Sequence, residues 1–481
     1  MLGATATADA LLLSLTVLTM FDVVFVSGAA ILTAQAIYVR RHAGERGRLA
    51  LAGLARSSAM WTWIGLIFGA ICTVAGEPLA ALIAPGFSPE ARATFAFCCT
   101  LASLLPAASA LMVFASALNR INGREALYTV NPLFINGLSW LSIVVFSSVG
   151  ATSLGIIRAF LLTSVIATLL MILLQLSFME PAQRSRLGAH FLRAMKPRKL
   201  LRSAALHRRE LQLVGPIVGA LLIQQVVTLI SYAFATRAGS GFLLLFGLAE
   251  RLTNVIFGVF IMTFLTVLEP RWARAAVRTD GSSEIAADVS VICAALIPLT
   301  ATLMFAGDSL AIMLFGHGAL SEFDVEQLAG ITRVYALTLP GISLGVVFTR
   351  LLVIRNRGGH IFMVNIFVTL LHLALCEALF RLAGAAGVAA ALAISLGVQA
   401  TAYGWRLGRM GAASTANVAI AARLSAVALL VILVAWLAAQ AGFAPLPRLL
   451  LVASATLLAT FAGARLVGLS LLESVQRLAK L

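Results

Sequence analysis

The chain has 481 residues, of which 61% are hydrophobic and only 11% charged, and its formal net charge is +16. A soluble domain is nearer half apolar and a quarter charged, so this composition excludes an ordinary soluble protein. Apolar runs of about 20 residues recur from end to end, and each is long enough to cross a bilayer as a helix. We therefore predict an all-α polytopic membrane protein whose positive charge lies in cytoplasmic loops and does not bind nucleic acid.

In chain order, the apolar runs predict thirteen membrane spans. They lie near residues 10–38, 58–84, 92–118, 126–148, 152–178, 211–235, 241–268, 286–315, 328–353, 360–382, 385–405, 418–441 and 447–470. Every second loop is basic, most densely at 184–209, which holds nine Lys or Arg residues. The positive-inside rule puts these loops and the C-terminus in the cytoplasm. Thirteen spans then put Met1 outside, and because MLGATATADA has no basic signal region, we expect one more helix upstream of the given start.

Two stretches of the chain recur at nearly the same separation. LLPAASALMVFASALNRING (104–123) resembles TLPGISLGVVFTRLLVIRNR (338–357), and ADALLLSLTVLTMFDVVF (8–25) resembles SGFLLLFGLAERLTNVIF (240–257). Both members of each pair cross the membrane in the same direction, which predicts a parallel duplication as in transporters with two similar halves. The predicted organisation is an N-terminal lobe at 1–178, a basic cytoplasmic linker at 179–211, a C-terminal lobe at 212–410 and two additional helices at 411–481.

Polar side chains inside the apolar runs are the candidate functional residues, because an ionised group at the bilayer centre costs about 3 kcal/mol or more. Arg251, deep in the seventh run, is expected either to pair with a carboxylate such as Asp22 or to offer its planar guanidinium to a phosphate. The predicted substrate-binding side chains are Asp22, Gln35, Asn136, Glu250, Arg251 and Asn254.

Several polar residues have simpler interpretations. Glu377 and Arg381 are four residues apart near a span end, so we expect an ion pair, with Glu377 as a coupling-ion ligand as the alternative. We expect His372 to be a polar residue that packs between helices, in preference to a proton relay. For Asn136 and Asn365 the alternative to a binding role is an interhelical hydrogen bond.

Motifs for catalysis are missing from the sequence. It contains no P-loop, no G-x-S-x-G, no H-E-x-x-H and no Cys/His metal spacing. We therefore expect that the protein is not an enzyme, binds no cofactor and does not hydrolyse ATP. Any driving force for its activity must come from an ion gradient, the membrane potential or the substrate gradient.

Five fragments together resemble the MurJ/MviN family of lipid II flippases, within the multidrug, oligosaccharidyl-lipid and polysaccharide exporter superfamily. In the family's order and spacing they are GATATADALLL (3–13), IAPGF (83–87), ALNRINGR with NPLFIN (117–136), LAERLTNVIFGVFIMTFLTVLEPRWAR (248–274) and LFGHGALSEFD (314–324). The resemblance implies two pseudo-symmetric six-helix lobes around a central cationic cavity plus two C-terminal helices, in the bacterial inner membrane. The thirteen spans then correspond to helices two to fourteen, and the family's first helix is missing.

The resemblance also implies a function. Such a protein carries an undecaprenyl-diphosphate-linked saccharide, first of all the peptidoglycan precursor lipid II, from the cytoplasmic to the periplasmic leaflet by alternating access. Its expected partners are this lipid-linked oligosaccharide, membrane lipids and the cell-wall or polysaccharide synthesis machinery.

The departures from the family pattern reverse local charge. The family's arginine pair before F-x-x-G is replaced by Asp22 and Val23, while the arginine after A-D is kept as Arg251, with Glu250 for the acid and Asn254 for the next acid. A carboxylate repels a diphosphate in a low-dielectric site. The alternatives are therefore an exopolysaccharide or O-unit lipid as substrate, an antiporter of small amphiphiles, or a non-transporting partner in an envelope assembly complex. A membrane glycosyltransferase is disfavoured because every outer loop is short.

Overall fold

The computed structural model describes residues 5–21, 47–121, 125–196, 208–275, 281–355, 357–409 and 415–466. In these ranges the chain is helical almost throughout and contains no strand. This confirms the predicted all-α membrane fold.

The chain divides into two compact units, Met1–Gln225 and Val226–Leu481. The described helices of unit 1 are α1 (Ala6–Phe21), α2 (Gly47–Val74), α3 (Gly76–Ile83), α4 (Pro89–Leu101), α5 (Leu105–Ile121), α6 (Glu125–Ser148), α7 (Ser153–Ser177) and α8 (Pro181–Ala194). Helix α8 lies within the predicted basic linker, and the indole Nε1 of Trp63 on α2 donates a 3.0 Å hydrogen bond to the carbonyl of Met195 just after it. The boundary between the units falls within α9 (Arg208–Arg237).

Unit 2 contains the rest of α9 and the remaining helices. They are α10 (Phe242–Ile256), a π-helical segment (Phe257–Met262), α11 (Thr263–Ala275), α12 (Gly281–Phe315), α13 (Glu322–Tyr335), α14 (Thr338–Ile354), α15 (Gly358–Leu407), α16 (Thr415–Ala439) and α17 (Pro445–Leu466). The predicted span 241–268 is therefore interrupted by a π-helical turn, which the hydrophobic pattern does not signal.

The membrane-spanning helices follow the predicted apolar runs. Eight described helices are long and apolar enough to cross a bilayer, or nine if the bent pair α13 and α14 forms one broken span. Helix α15 has non-helical backbone at Ala383 and Gly384, where Gly384 adopts a φ of +55°. It therefore consists of two halves, which coincide with the predicted spans 360–382 and 385–405. The total of thirteen spans stays a prediction.

Helix positions repeat along the chain. Pro89 and Glu322, Leu105 and Thr338, and Glu125 and Gly358 are pairs of helix starts, and the members of each pair are 233 residues apart. This spacing agrees with the predicted parallel duplication.

A buried amide pair recurs in the two units. In unit 1 the Gln175 Nε2 donates to Asn131 Oδ1 at 2.6 Å, which joins α7 to α6. In unit 2 the Gln399 Nε2 donates to Asn365 Oδ1 at 2.6 Å, which joins the two halves of α15. Asn131 and Asn365 occupy equivalent positions in the repeat. The expected interhelical hydrogen bond of Asn365 is confirmed, and the equivalent bond in unit 1 is made by Asn131 and not by Asn136.

The C-terminal helices are attached to unit 2 by apolar packing and charge. Small and branched residues of α12, α16 and α17 form a common core that includes Ala301, Val431 and Val452. Asp308 on α12 is only 7% exposed. Its carboxylate forms ion pairs with Arg333 of α13 at 2.6 Å and with Arg448 of α17 at 2.9 Å. Because both guanidinium groups contact the same oxygen, one buried acid ties three helices together.

Helices α2 and α5 approach each other closely in unit 1 through a G-x-x-x-G pattern. A Cβ on Gly65 would lie 2.7 Å from the backbone nitrogen of Ala107, and a Cβ on Gly69 would overlap the carbonyl oxygen of Ser103, just before α5. Small residues let membrane helices pack backbone to backbone. These two glycines therefore set the separation between α2 and α5.

The close contact of Gly69 beside α5 predicts that two glycine-to-alanine substitutions in unit 1 differ in their effect on stability. Gly69→Ala is expected to lower the free energy of unfolding by about 1–3 kcal/mol, because overpacking forces the helices apart. Gly137→Ala on α6 places its Cβ in open space, so the better helix propensity of alanine should leave stability unchanged or raise it by up to about 1 kcal/mol. Thermal unfolding of both variants in one detergent tests this, and equal midpoints would contradict the packing argument.

Candidate functional site

Three of the predicted binding residues lie together on α10. Glu250 and Arg251 are adjacent, and Asn254 follows one turn later, just before the π-helical segment. Arg251 and Asn254 are exposed in unit 2, whereas Glu250 is partly buried. The acid and the base of this short segment therefore face different surroundings.

Glu250 is directed towards the interior of unit 2. Its Oε2 accepts a 2.6 Å hydrogen bond from the hydroxyl of Tyr232 on α9, and the Asn254 side chain also interacts with the carboxylate. The ring of Tyr232 packs edge-on against Phe246, which packs in the same way against Tyr335 of α13. The carboxylate is thus held by a tyrosine that is itself fixed by aromatic packing.

Arg251 has a different environment. Among the described residues, no hydrogen bond or ion pair joins its guanidinium to another side chain, although Glu250 is close enough to attract it electrostatically. Arg251, Asn254 and Gly258 lie at i, i+3 and i+7, so they share one face, and all three are exposed. This face, which we call the α10 polar face, offers the guanidinium donors of Arg251 and the amide of Asn254.

The other predicted binding residues lie in unit 1 or outside the described residues. Asn136 belongs to α6 of unit 1, where it is exposed. Asp22 and Gln35 lie outside the described residues, and so does the predicted pairing of Asp22 with Arg251.

Glu377 lies on the first half of α15, away from the α10 polar face. Its Oε1 accepts hydrogen bonds from Arg381 at 2.9 and 2.5 Å, which confirms the expected i,i+4 ion pair. Arg237, at the end of α9, approaches the other oxygen at 3.7 Å. All three side chains are about half exposed or more, so the ion pairs are worth little in stability.

Two buried carboxylates of α12 are missing from the sequence-based prediction. Asp308 forms the paired cluster with Arg333 and Arg448, and Asp288 accepts a 3.0 Å hydrogen bond from the indole of Trp272. An acid within an apolar run, such as FAGDSLAIM (305–313), is the signal that points to Asp308.

A cavity of about 920 Å³ lies at one end of unit 2, where α13 begins and α15 breaks. Its charged lining residues are Asp308, Glu322, Glu326 and Arg333. Glu250, Arg251 and Asn254 do not line it. Across the described part of the chain, no three His, Cys, Asp or Glu side chains are grouped so that they could hold a metal ion.

Comparison with known proteins places this arrangement in a family. The family model described as "Lipid II flippase MurJ" matches residues 1–467. No curated protein gives a significant match to the sequence.

Solved structures show the same fold at low sequence identity. A lipid II flippase MurJ in an inward closed conformation has a TM-score of 0.72 and 16% identity, covering 96% of this chain and 92% of that one. An inward-facing MATE-family multidrug resistance transporter of the MOP superfamily has a TM-score of 0.66 and 17% identity, covering 85% and 91%. An outward-facing structure of such a transporter has a TM-score of 0.57 and 16% identity, covering 85% and 87%.

The family match extends over almost the entire chain, and the fold likeness to a MurJ structure is equally complete. The apolar helices that carry the α10 polar face are those of a multi-pass membrane transporter, and the chain belongs to the MurJ lipid II flippase family.

Proposed function

We propose that this protein is a flippase of the bacterial inner membrane that moves an undecaprenyl-diphosphate-linked saccharide, lipid II, from the cytoplasmic to the periplasmic leaflet by alternating access. Membership of the MurJ family supports the transport of a lipid-linked precursor. The observation on this chain that carries the proposal is the exposed Arg251, which has no ion-pair partner among the described residues.

The diphosphate is the part of the substrate that Arg251 suits. A guanidinium presents five N–H donors in a planar fork that matches the oxygens of a phosphate. Asn254 lies one turn away on the same face. Its side chain interacts with Glu250, and the remaining hydrogen-bonding capacity of the amide suits a phosphate or a sugar hydroxyl. Because Arg251 is exposed on its helix, binding the diphosphate breaks no ion pair within the described residues.

Glu250 would oppose this binding if its carboxylate lay on the same face. The hydrogen bond from Tyr232 holds it towards α9 instead, so the α10 polar face presents a cation and an amide. This orientation explains how an acid next to Arg251 is compatible with an anionic headgroup.

Loss of the guanidinium should abolish this function. Arg251→Ala is expected to reduce flipping at least about 10-fold, since one charge-assisted hydrogen bond contributes roughly 1.5–3 kcal/mol, and Arg251→Lys should retain part of the activity as a point charge. The measurement is growth of cells that depend on the variant, together with the rate at which lipid II reaches the outer leaflet. Arg158→Ala is the matched control, because Arg158 lies on the spanning helix α7 over the ring of Phe97. A wild-type rate for Arg251→Ala would contradict the proposal.

The tyrosine that holds Glu250 gives a second prediction. Tyr232→Phe removes the hydroxyl but keeps the ring packing, so the carboxylate is released and should repel the diphosphate, lowering the flipping rate by several fold. Adding Glu250→Gln should restore the rate because the repelling charge is gone. Tyr403→Phe is the control, since it removes a buried tyrosine hydroxyl that is bonded to Asn365 of unit 2. If the double variant is as slow as Tyr232→Phe, the charge argument is wrong.

A further inference from the structure

His372 lies at the junction of three helical segments of unit 2. Its side chain is completely buried on the first half of α15. Its Nε2 lies 2.9 Å from the Ser231 hydroxyl of α9, and its Nδ1 lies 3.3 Å from the Ser395 hydroxyl on the second half of α15. The thiol of Cys376, one turn further along, is 3.3 Å from Nε2. The imidazole therefore connects α9 to both halves of α15.

The two serine hydroxyls have a second hydrogen-bond partner in their own helices. Ser231 Oγ can donate to the carbonyl of Val227 at 3.1 Å, and Ser395 Oγ can donate to the carbonyl of Ala391 at 2.7 Å. In that arrangement both oxygens present lone pairs to the ring. Two acceptors suit an imidazolium, which has two N–H donors, whereas a neutral imidazole has only one. With a neutral ring, one serine must turn its hydrogen to the imidazole.

Rotation of one hydroxyl therefore leaves both ring nitrogens hydrogen-bonded in either protonation state. Hydrogen bonding alone does not decide which state the enclosed ring adopts, and the difference between the states lies in the charge.

The net charge of the site, however, differs between the neutral and the protonated ring. Among the described residues, no charged side chain is bonded to His372 or acts on it electrostatically. Its neighbour Glu377 is paired with Arg381 and Arg237.

Within the described parts of the neighbouring helices, no charged side chain acts electrostatically on the ring. The nearby acid Glu250 of α10 is bonded to Tyr232 of α9, and Tyr335 of α13 packs on Phe246.

An unpaired imidazolium in an enclosed apolar site is unfavourable. The conformation described here therefore favours the neutral ring, and a conformation in which water or Glu377 reaches the ring favours the charged one. A ligand that binds two conformations unequally shifts their populations.

We propose that His372 is a proton-binding site, and that proton uptake there releases the contact between α9 and the two halves of α15. The proton then acts on the conformation of unit 2 directly. Its further role as the coupling ion of transport rests on the proposed function.

Hydrogen–deuterium exchange of the full-length protein in detergent tests the conformational step without any substrate. From pH 8 to pH 5.5, after correction for intrinsic exchange, the exchange of peptides covering 226–236 and 365–399 should become on the order of tenfold faster in the wild type. The reason is that an imidazole that reaches water gains its charge across this range, whereas the enclosed ring stays neutral. His372→Gln keeps the hydrogen bonding but not the titration, so it should lose this response. His360→Gln, on the same helix, should keep it.

Two results would overturn the proposal: a wild-type protein without the pH response, or a His372→Gln variant that retains it. If His372→Gln does not fold, the double variant Ser231→Ala with Ser395→Ala keeps the histidine but removes both side chains that it contacts on α9 and on the second half of α15. The same peptides should then exchange fast at both pH values, and a pH response equal to that of the wild type would contradict the proposal.

The pH profile of lipid II flipping tests the transport step separately. It should become flat in His372→Gln, and a profile identical to that of the wild type would overturn the role as coupling ion. If lipid II is not the substrate, the flipping assay fails for the wild type as well, while the exchange result is unaffected. Failure of the proposed function and failure of the proton site are thus distinguishable.

Discussion

The hydrogen bond from Tyr232 to Glu250 determines which charge α10 presents. Adjacent residues on a helix point about 100° apart, so Glu250 and Arg251 cannot share one face. Once the tyrosine fixes the acid against α9, the exposed arginine projects about 100° away from it. This separation of the acid from the base leaves the guanidinium exposed beside the amide of Asn254. The proposed affinity for a diphosphate depends on it. The aromatic contacts of Tyr232 with Phe246 and of Phe246 with Tyr335 hold the Tyr232 ring in place.

Two other acids of unit 2 are each paired with two arginines. The buried Asp308 contacts Arg333 and Arg448, and the exposed Glu377 contacts Arg237 and Arg381. At the equivalent positions of the first repeat, 234 residues earlier, Asp308 and Arg333 are replaced by Val74 and Cys99. The duplicated units therefore keep the amide pair that joins neighbouring helices but differ in their charges. In unit 2 the ion pair of Asp308 with Arg448 connects α12 to α17, one of the two C-terminal helices.

Sequence reasoning succeeded where a feature depends on local pattern. The apolar runs located the helices, the four-residue spacing predicted the pair of Glu377 with Arg381, and five short fragments identified the family. It failed where partners are distant in the chain, because nothing in the pattern links Asp308 to Arg448, 140 residues away, or His372 to Ser231. The π-helical segment after α10 was missed because a wider turn leaves hydrophobicity unchanged. Asn136 was singled out by the sequence, whereas the buried amide bond of that region belongs to Asn131.

The central claim is that this chain moves lipid II, and lipid extracts of cells depleted of the protein test it most directly. Lipid-linked precursors should be identified by mass spectrometry and assigned to a leaflet by their accessibility from outside. The account predicts that lipid II accumulates in the cytoplasmic leaflet and returns to normal when the wild-type gene is restored. Accumulation of a different lipid-linked saccharide, or no accumulation at all, would contradict it.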